Sequence, residues 1–413
     1  MPHEQSGKCR DNVHLDYLKR YYIAYNLFVF SQGLVAVFLN VLFFSAGSYT
    51  ELLYFQLIST IGIFLSFTAC SYALRRYSPS SLFAYGEIFR AALLMAIVVG
   101  MQFTSNVYLL GLLYGISGGI FWTGNNALMY DISRKRNRMS FISMNNIIGG
   151  IAAFVAPVFA GLAIQFTPLV GPFKFSGDFA FAVLFLVLSS LYMARSRIRT
   201  PRLKGFKIRN TAIRGVEGYG SFKVYFLLSQ FFALPFITII PVYVFYTTGS
   251  YLVAGVFASF TIMTGIIANY LSKKITNWEG FIRIAVAGII LSPFALLSYK
   301  YTGAAASVFV FSFAYTLFSV PLANKAYSNF MSLIDRYKNT DRAYFMVNRE
   351  YYLAAGRCAV VGILIALSYY VGVTAAIEVF MPLASLYAVT YIYTAGNGKP
   401  AVPLVFRSIF SRS

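Results

Sequence analysis

The sequence predicts an all-α polytopic membrane protein with 12 transmembrane helices in two six-helix bundles and both termini in the cytoplasm. Three observations predict it. Of 413 residues, 58% are hydrophobic and only 11% are charged, against about 25% charged in a typical soluble domain. Apolar runs of roughly 20 residues, the length that spans a bilayer as a helix, recur along the whole chain. The basic residues gather in every second connector, as they do in cytoplasmic loops.

The elements follow in order. Residues 1–20 form a polar N-tail. The run 21–44 is too long for the apolar core of a secretory signal and reads as the first span. Spans at 51–74, 82–101, 107–130, 140–164 and 178–194 complete a first bundle over 21–194. The connector 195–221 holds Pro201, several glycines and eight basic residues, from Arg195 to Arg214, and reads as a linker lying on anionic headgroups. A second bundle, 222–394, contains spans at 222–248, 251–271, 281–299, 304–330, 348–370 and 373–394. Residues 395–413 form a C-tail. Pro235, Pro241, Pro293 and Pro321 are expected to break or bend spans seven, nine and ten.

Charge sets the orientation. Arg75 and Arg76 follow span two, Arg134 to Arg138 follow span four, and Lys273 and Lys274 follow span eight. Arg336, Lys338 and Arg342 follow span ten, and Lys399, Arg407 and Arg412 lie in the C-tail. The opposite connectors carry only Lys174 and Lys300. The net charge of +21 therefore belongs to the cytoplasmic face, with anionic lipids and not nucleic acid as its partner.

Other classes are excluded by what the chain lacks. The only histidines, His3 and His14, sit in the N-tail. The cysteines are Cys9, Cys70 and Cys358, with no C-x-x-C. The sequence thus calls for no metal, no cofactor and no Cys-His or Ser-His dyad, and an enzyme acting on lipids is disfavoured. No G-x-x-x-x-G-K-[ST] loop occurs, so ATP hydrolysis is not the energy source.

The halves repeat each other. Leu74-Arg75-Arg76 corresponds to Leu271 through Lys274, and Arg138 to Phe141 corresponds to Arg342 to Phe345, about 200 residues apart. With the span count, the terminal orientation and the central linker, the chain from about 20 to 395 resembles the major facilitator superfamily. Asp131 and the basic stretch to Arg138 resemble that family's loop after helix 4. Ala156-Pro157-Val158-Phe159-Ala160-Gly161 is similar to a small-residue stretch in its exporters. The family's loop between helices 2 and 3 is degraded here, with Arg75 at the position of the usual acid and Lys273 at the matching one. The resemblance implies a gate formed by Asp131, Arg138, Arg75, Arg76, Lys273 and Lys274. It also implies a cavity lined by spans one, four, seven and ten. On those spans Gln32, Trp122, Asn126, Gln230 and Tyr315 offer amides and rings to a substrate.

Ionisable residues within spans are costly and each is a functional candidate. Glu87 and Arg90 share a face of span three, as a self-neutralising pair or as a coupling carboxylate tuned by the Arg. Glu350 and Arg357 share a face of span 11. There Arg357 is either clamped by Glu350 or anchors an anionic substrate. Glu378 stands about 8 Å inside span 12. Glu87, Arg90, Glu350 and Glu378 are the proton-coupling candidates, and Arg357 joins the substrate set. The function expected is that of a monomeric secondary transporter in the cell membrane, working by alternating access. Proton-coupled export of an amphipathic or anionic compound comes first. Proton-coupled uptake of an organic anion or sugar, or a receptor of transporter ancestry, is the alternative.

Overall fold

In the computed structural model, the described residues are 2–46, 48–99, 106–133, 138–169, 171–196, 211, 213, 215–297, 304–337, 339–371 and 373–396. Polar residues at the ends of the apolar runs start the helices. Helix α1 spans Pro2–Ala46 and so extends through the predicted N-tail. Ser48 caps α2 (Tyr49–Ala73) by accepting a hydrogen bond from the Glu51 N–H at 3.3 Å. Asn106 does the same for α4 (Val107–Ile132), accepting from Leu109 N–H at 3.0 Å. Between them, α3 covers Pro79–Val99. Helix α8 (Tyr219–Thr248) leaves at Gly249, whose φ of 64° is open to glycine at little cost.

Proline divides two of the predicted spans. The fifth is split into α5 (Arg138–Phe154) and α6 (Ala156–Phe166), with Pro157 in the first turn of α6, where it lacks an N–H to bond backwards. Helix α7 follows at Ser176–Arg195, and α9 at Tyr251–Ser272. The ninth span is split around Pro293 into α10 (Trp278–Leu291) and α11 (Phe294–Leu297). Of the break or bend expected at Pro235, Pro241 and Pro321, the break does not occur: α8 and α12 (Ala304–Ile334) run through them. Neighbouring helices in a membrane bundle tolerate such residues. Helix α13 is Asn339–Val371. The predicted twelfth span is three short pieces: α14 (Val373–Ser385), a 3-10 turn (Leu386–Val389) and α15 (Thr390–Thr394). Among the described residues, 11 helical stretches are long and apolar enough to cross a membrane, and this last group is not one of them. The chain is a multi-pass integral membrane protein.

Buried apolar residues fall into two large clusters. One joins α1, α3, α4 and α7, with Phe28 stacked on Phe121 at 3.9 Å. The other joins α8, α12 and the segment after α14, with Phe232 stacked on Tyr315 at 4.2 Å. In lipid, helices gain little from hydrophobicity alone and associate where small residues let backbones approach. Gly86 of α3 sits where a Cβ would come 2.6 Å from Phe121 Cα. Across the two halves, a Cβ on Gly161 of α6 would come 2.7 Å from the Tyr251 carbonyl of α9, and Gly255 meets the Pro157 carbonyl.

Arg75, Arg138, Arg195 and Lys273 mark one end of the bundle, called here the basic end. Arg134 to Arg136, the basic residues of 197–214, Lys300, Lys338 and the C-tail cations lie outside the described residues.

Candidate functional site

A cavity of about 580 Å³ lies between the two halves. Its first wall is built from α1, α2, α4 and α5 and carries amides, hydroxyls and rings: Tyr25, Gln56, Trp122, Asn126 and Asn146 among them. Its second wall comes from α8, α12 and α13 and carries Tyr225, Gln230, Tyr327, Arg349, Glu350 and Arg357. The only charged side chains among the described lining residues are the last three, all on α13. Two guanidiniums and one carboxylate leave the wall one positive charge in excess.

The trio is loosely knit. Glu350 Oε1 lies 3.6 Å from Arg349 Nη2, and Glu350 Oε2 lies 3.9 Å from Arg357 Nη1. Both distances exceed hydrogen-bonding length. Each Arg is instead held by a neutral partner. Arg357 Nε donates to Gln230 Oε1 at 2.9 Å, and Arg349 Nη1 donates to the Tyr327 hydroxyl at 3.4 Å. Glu350 Oε2 and Arg349 Nε are buried without a hydrogen-bond partner.

Of the residues predicted to meet substrate, Trp122, Asn126, Gln230 and Arg357 line this cavity. Gln32 and Tyr315 do not. Gln32 is turned into the first half, where its Oε1 accepts from Arg90 Nη1 at 3.0 Å. Tyr315 is turned into the second, its hydroxyl 3.1 Å from that of Tyr387. Of the proton-coupling set, only Glu350 reaches the cavity. Glu87 and Arg90 are buried in the first half and form no ion pair with each other. Glu87 Oε1 accepts from Ser189 Oγ at 2.7 Å, and Arg90 turns to Gln32, Ser117 and the Tyr114 ring. The two side chains expected to pair are not in direct contact: neutral partners take each group in a different direction, while the Arg90 charge still acts on the Glu87 carboxyl. Glu378 is half-buried on α14, away from the lining.

The gate set is scattered too. Arg75, Arg76, Asp131, Lys273 and Lys274 are exposed. Arg75 covers the Tyr72 ring, Lys274 the Tyr270 ring, and Lys273 reaches Met144 Sδ at 3.4 Å. Arg138 makes an ion pair across the halves, through Nη1 to Asp335 Oδ2 at 2.5 Å. Tyr130 donates its hydroxyl to the other carboxylate oxygen. Asp335 had no place among the sequence candidates. It ends α12 beside Arg336, in a connector read for its basic residues alone. Asn269 was missed as well. Its Oδ1 accepts from Asn324 Nδ2 at 2.7 Å and Asn146 Nδ2 at 3.4 Å, joining α5, α9 and α12 next to the cavity. Among the described residues, no group of three His, Cys, Asp or Glu side chains is arranged to hold a metal ion.

The sequence profile of the Major Facilitator Superfamily matches residues 21–348. YqgE, an uncharacterized protein of Bacillus subtilis (strain 168), is 24% identical over 352 residues, covering 80% of this chain and 78% of its own. A bacterial homologue of the iron transporter ferroportin, outward-facing with soaked iron, superposes with a TM-score of 0.62 at 15% identity, over 92% of this chain and 99% of its own. FucP, a Major Facilitator Superfamily transporter in the outward conformation, does so with 0.62 at 13% identity, over 93% of this chain and all of its own. At these identities the likeness is one of fold.

Proposed function

Because the chain belongs to the Major Facilitator Superfamily, we propose that it is a secondary active transporter carrying a small organic anion, coupled to protons. One observation carries the reading. A cavity between the two halves presents an excess positive charge from α13 to a wall of amides and aromatic rings. Arg357 holds the anionic group, Gln230 aims it, and Trp122 and Asn126 meet the body of the substrate. Glu350 is the coupling carboxylate. The halves 21–194 and 222–394 rock about the cavity, twelve crossings return both termini to the cytoplasm, and the monomer sits in the cell membrane. The basic end then faces the cytoplasm and its anionic lipids. Arg138 and Asp335 fasten the cytoplasmic ends together in one state.

Export was expected from the Ala156–Gly161 stretch. That stretch packs α6 on α9 and is not part of the cavity wall, so it speaks for packing and not for direction. The charge of the cavity favours the alternative, an organic anion moving with protons. The test is reconstitution of the whole chain in liposomes holding a pH-sensitive dye, with pools of organic acids, sugars and amines added outside. An acid pool that moves protons, with Arg357→Ala silent, is the expected result. Proton movement with sugars or amines alone would overturn the anion reading.

A further inference from the structure

Resting on that anion reading, we infer that Glu350 and the substrate's own carboxylate compete for Arg349 and Arg357, so that the anion enters only together with a proton. The ligand class is then a monocarboxylate, and the transport is electroneutral co-transport driven inward by a proton gradient.

The geometry is that of one anion between two cations. Glu350 faces Arg349 at 3.6 Å and Arg357 at 3.9 Å, and both Glu350 and Arg349 are more than nine-tenths buried. Neither ion pair is short enough to hydrogen-bond, and two buried atoms of this trio, Glu350 Oε2 and Arg349 Nε, are left without a hydrogen-bond partner. A guest carboxylate landing on Arg357 Nη1 would stand close to Glu350 Oε2. Both carboxylates cannot sit at that guanidinium without lying against each other, and a proton on Glu350 lifts that repulsion and frees both guanidiniums for the guest. The balance is simple. One proton joins Glu350, and one carboxylate takes the place that Glu350 held beside the guanidiniums. The wall carries one excess positive charge before and after. Among the described residues lining the cavity, no other carboxylate substitutes for Glu350. The titratable residues around it are Tyr327 on α12, Tyr225 on α8 and Tyr25 on α1, while α2, α4 and α5 line the cavity with amides, hydroxyls, Trp122 and apolar groups. Because Gln230 and Tyr327 anchor the two guanidiniums independently of Glu350, the cations stay in place when the carboxylate is displaced.

The probes are benzoate, nicotinate and pyruvate, with the purified full chain in detergent and in liposomes. In wild type, the affinity for the best-bound acid is expected to weaken about tenfold per pH unit once Glu350 is ionised, the slope of one linked proton. In weakly buffered medium, a pH dye should record about one proton taken up per acid bound. The variant Glu350→Gln should bind at neutral pH as tightly as wild type does at acid pH, and take up no proton. Both wild-type measurements stand whether or not that variant folds. Binding that is independent of pH with no proton taken up would overturn the competition and leave the anion reading intact. Failure of every acid to bind or move, with a neutral or cationic compound transported instead, would overturn the anion reading and this inference with it.

Discussion

Replacing Asp335 with Ala tests whether the link at the basic end holds the two halves together. The side chains of Arg138 and Asp335 are 4% and 8% exposed, with 2.5 Å between Nη1 and Oδ2. Tyr130 donates to the same carboxylate, and its ring lies 5.0 Å from the Arg138 guanidinium. Removing one member of a buried pair costs about 3–5 kcal/mol, chiefly by stranding the other charge. Once the halves part, Arg138 reaches water and the cost disappears, so it falls on the joined state alone. At the lower bound of about 3 kcal/mol, and about 1.4 kcal/mol per tenfold, the ratio of joined to parted molecules falls by about two orders of magnitude. Spin labels on cysteines at positions 75 and 274, exposed ends of α2 and α9, read the separation after Cys9, Cys70 and Cys358 are replaced. Asp335→Ala should populate a long distance that wild type lacks. A distance distribution identical to wild type would refute the assignment of this pair as the fastening.

Gln230→Ala removes the 2.9 Å bond that aims Arg357; at about 1.5 kcal/mol for a charged donor, substrate affinity should weaken about tenfold, read by flux or binding. Gly86→Ala drives a Cβ against the Phe121 backbone and should cost about 1–3 kcal/mol, seen as a lower melting temperature in detergent. Gly177→Ala, with nothing within 4 Å of the new Cβ, should leave the melting temperature in place or raise it slightly. Tyr315→Phe deletes the bond to Tyr387 and should cost about 1 kcal/mol of stability with KM unchanged, whereas Trp122→Ala should raise KM. A raised KM in Tyr315→Phe would put that residue back at the substrate.

Depth in the membrane was legible in the sequence, but rotation about the helix axis was not. Gln32, Gln230 and Tyr315 all fall near mid-span, yet only Gln230 reaches the cavity. A helix that is apolar all round offers no stripe from which to read its facing direction. Glu350 and Arg357 were found because a mid-span charge needs a partner, and their seven-residue spacing placed them on one face. Glu87 and Arg90, three apart and also on one face, took different partners, since Ser189 and Gln32 come from other helices. Asp335 was hidden because its partner is Arg138, 197 positions away, and local charge in that connector is dominated by cations. The interruption at Pro293 was expected and the one before Pro157 was not, while the unbroken passage of α8 through Pro235 and Pro241 depends on what surrounds the helix.

The crossing of α6 on α9 has a mechanical meaning. Where Gly161 meets the Tyr251 carbonyl and Gly255 meets the Pro157 carbonyl, main chain rests on main chain, with no side chain between to change rotamer. Such a joint can roll but not slide, so in the rocking proposed above it would serve as the axle. Displacement then grows with distance from it, as on a lever. A covalent tether across Gly161 and Leu252 should leave the swing intact, while one placed far from the axle should stop it.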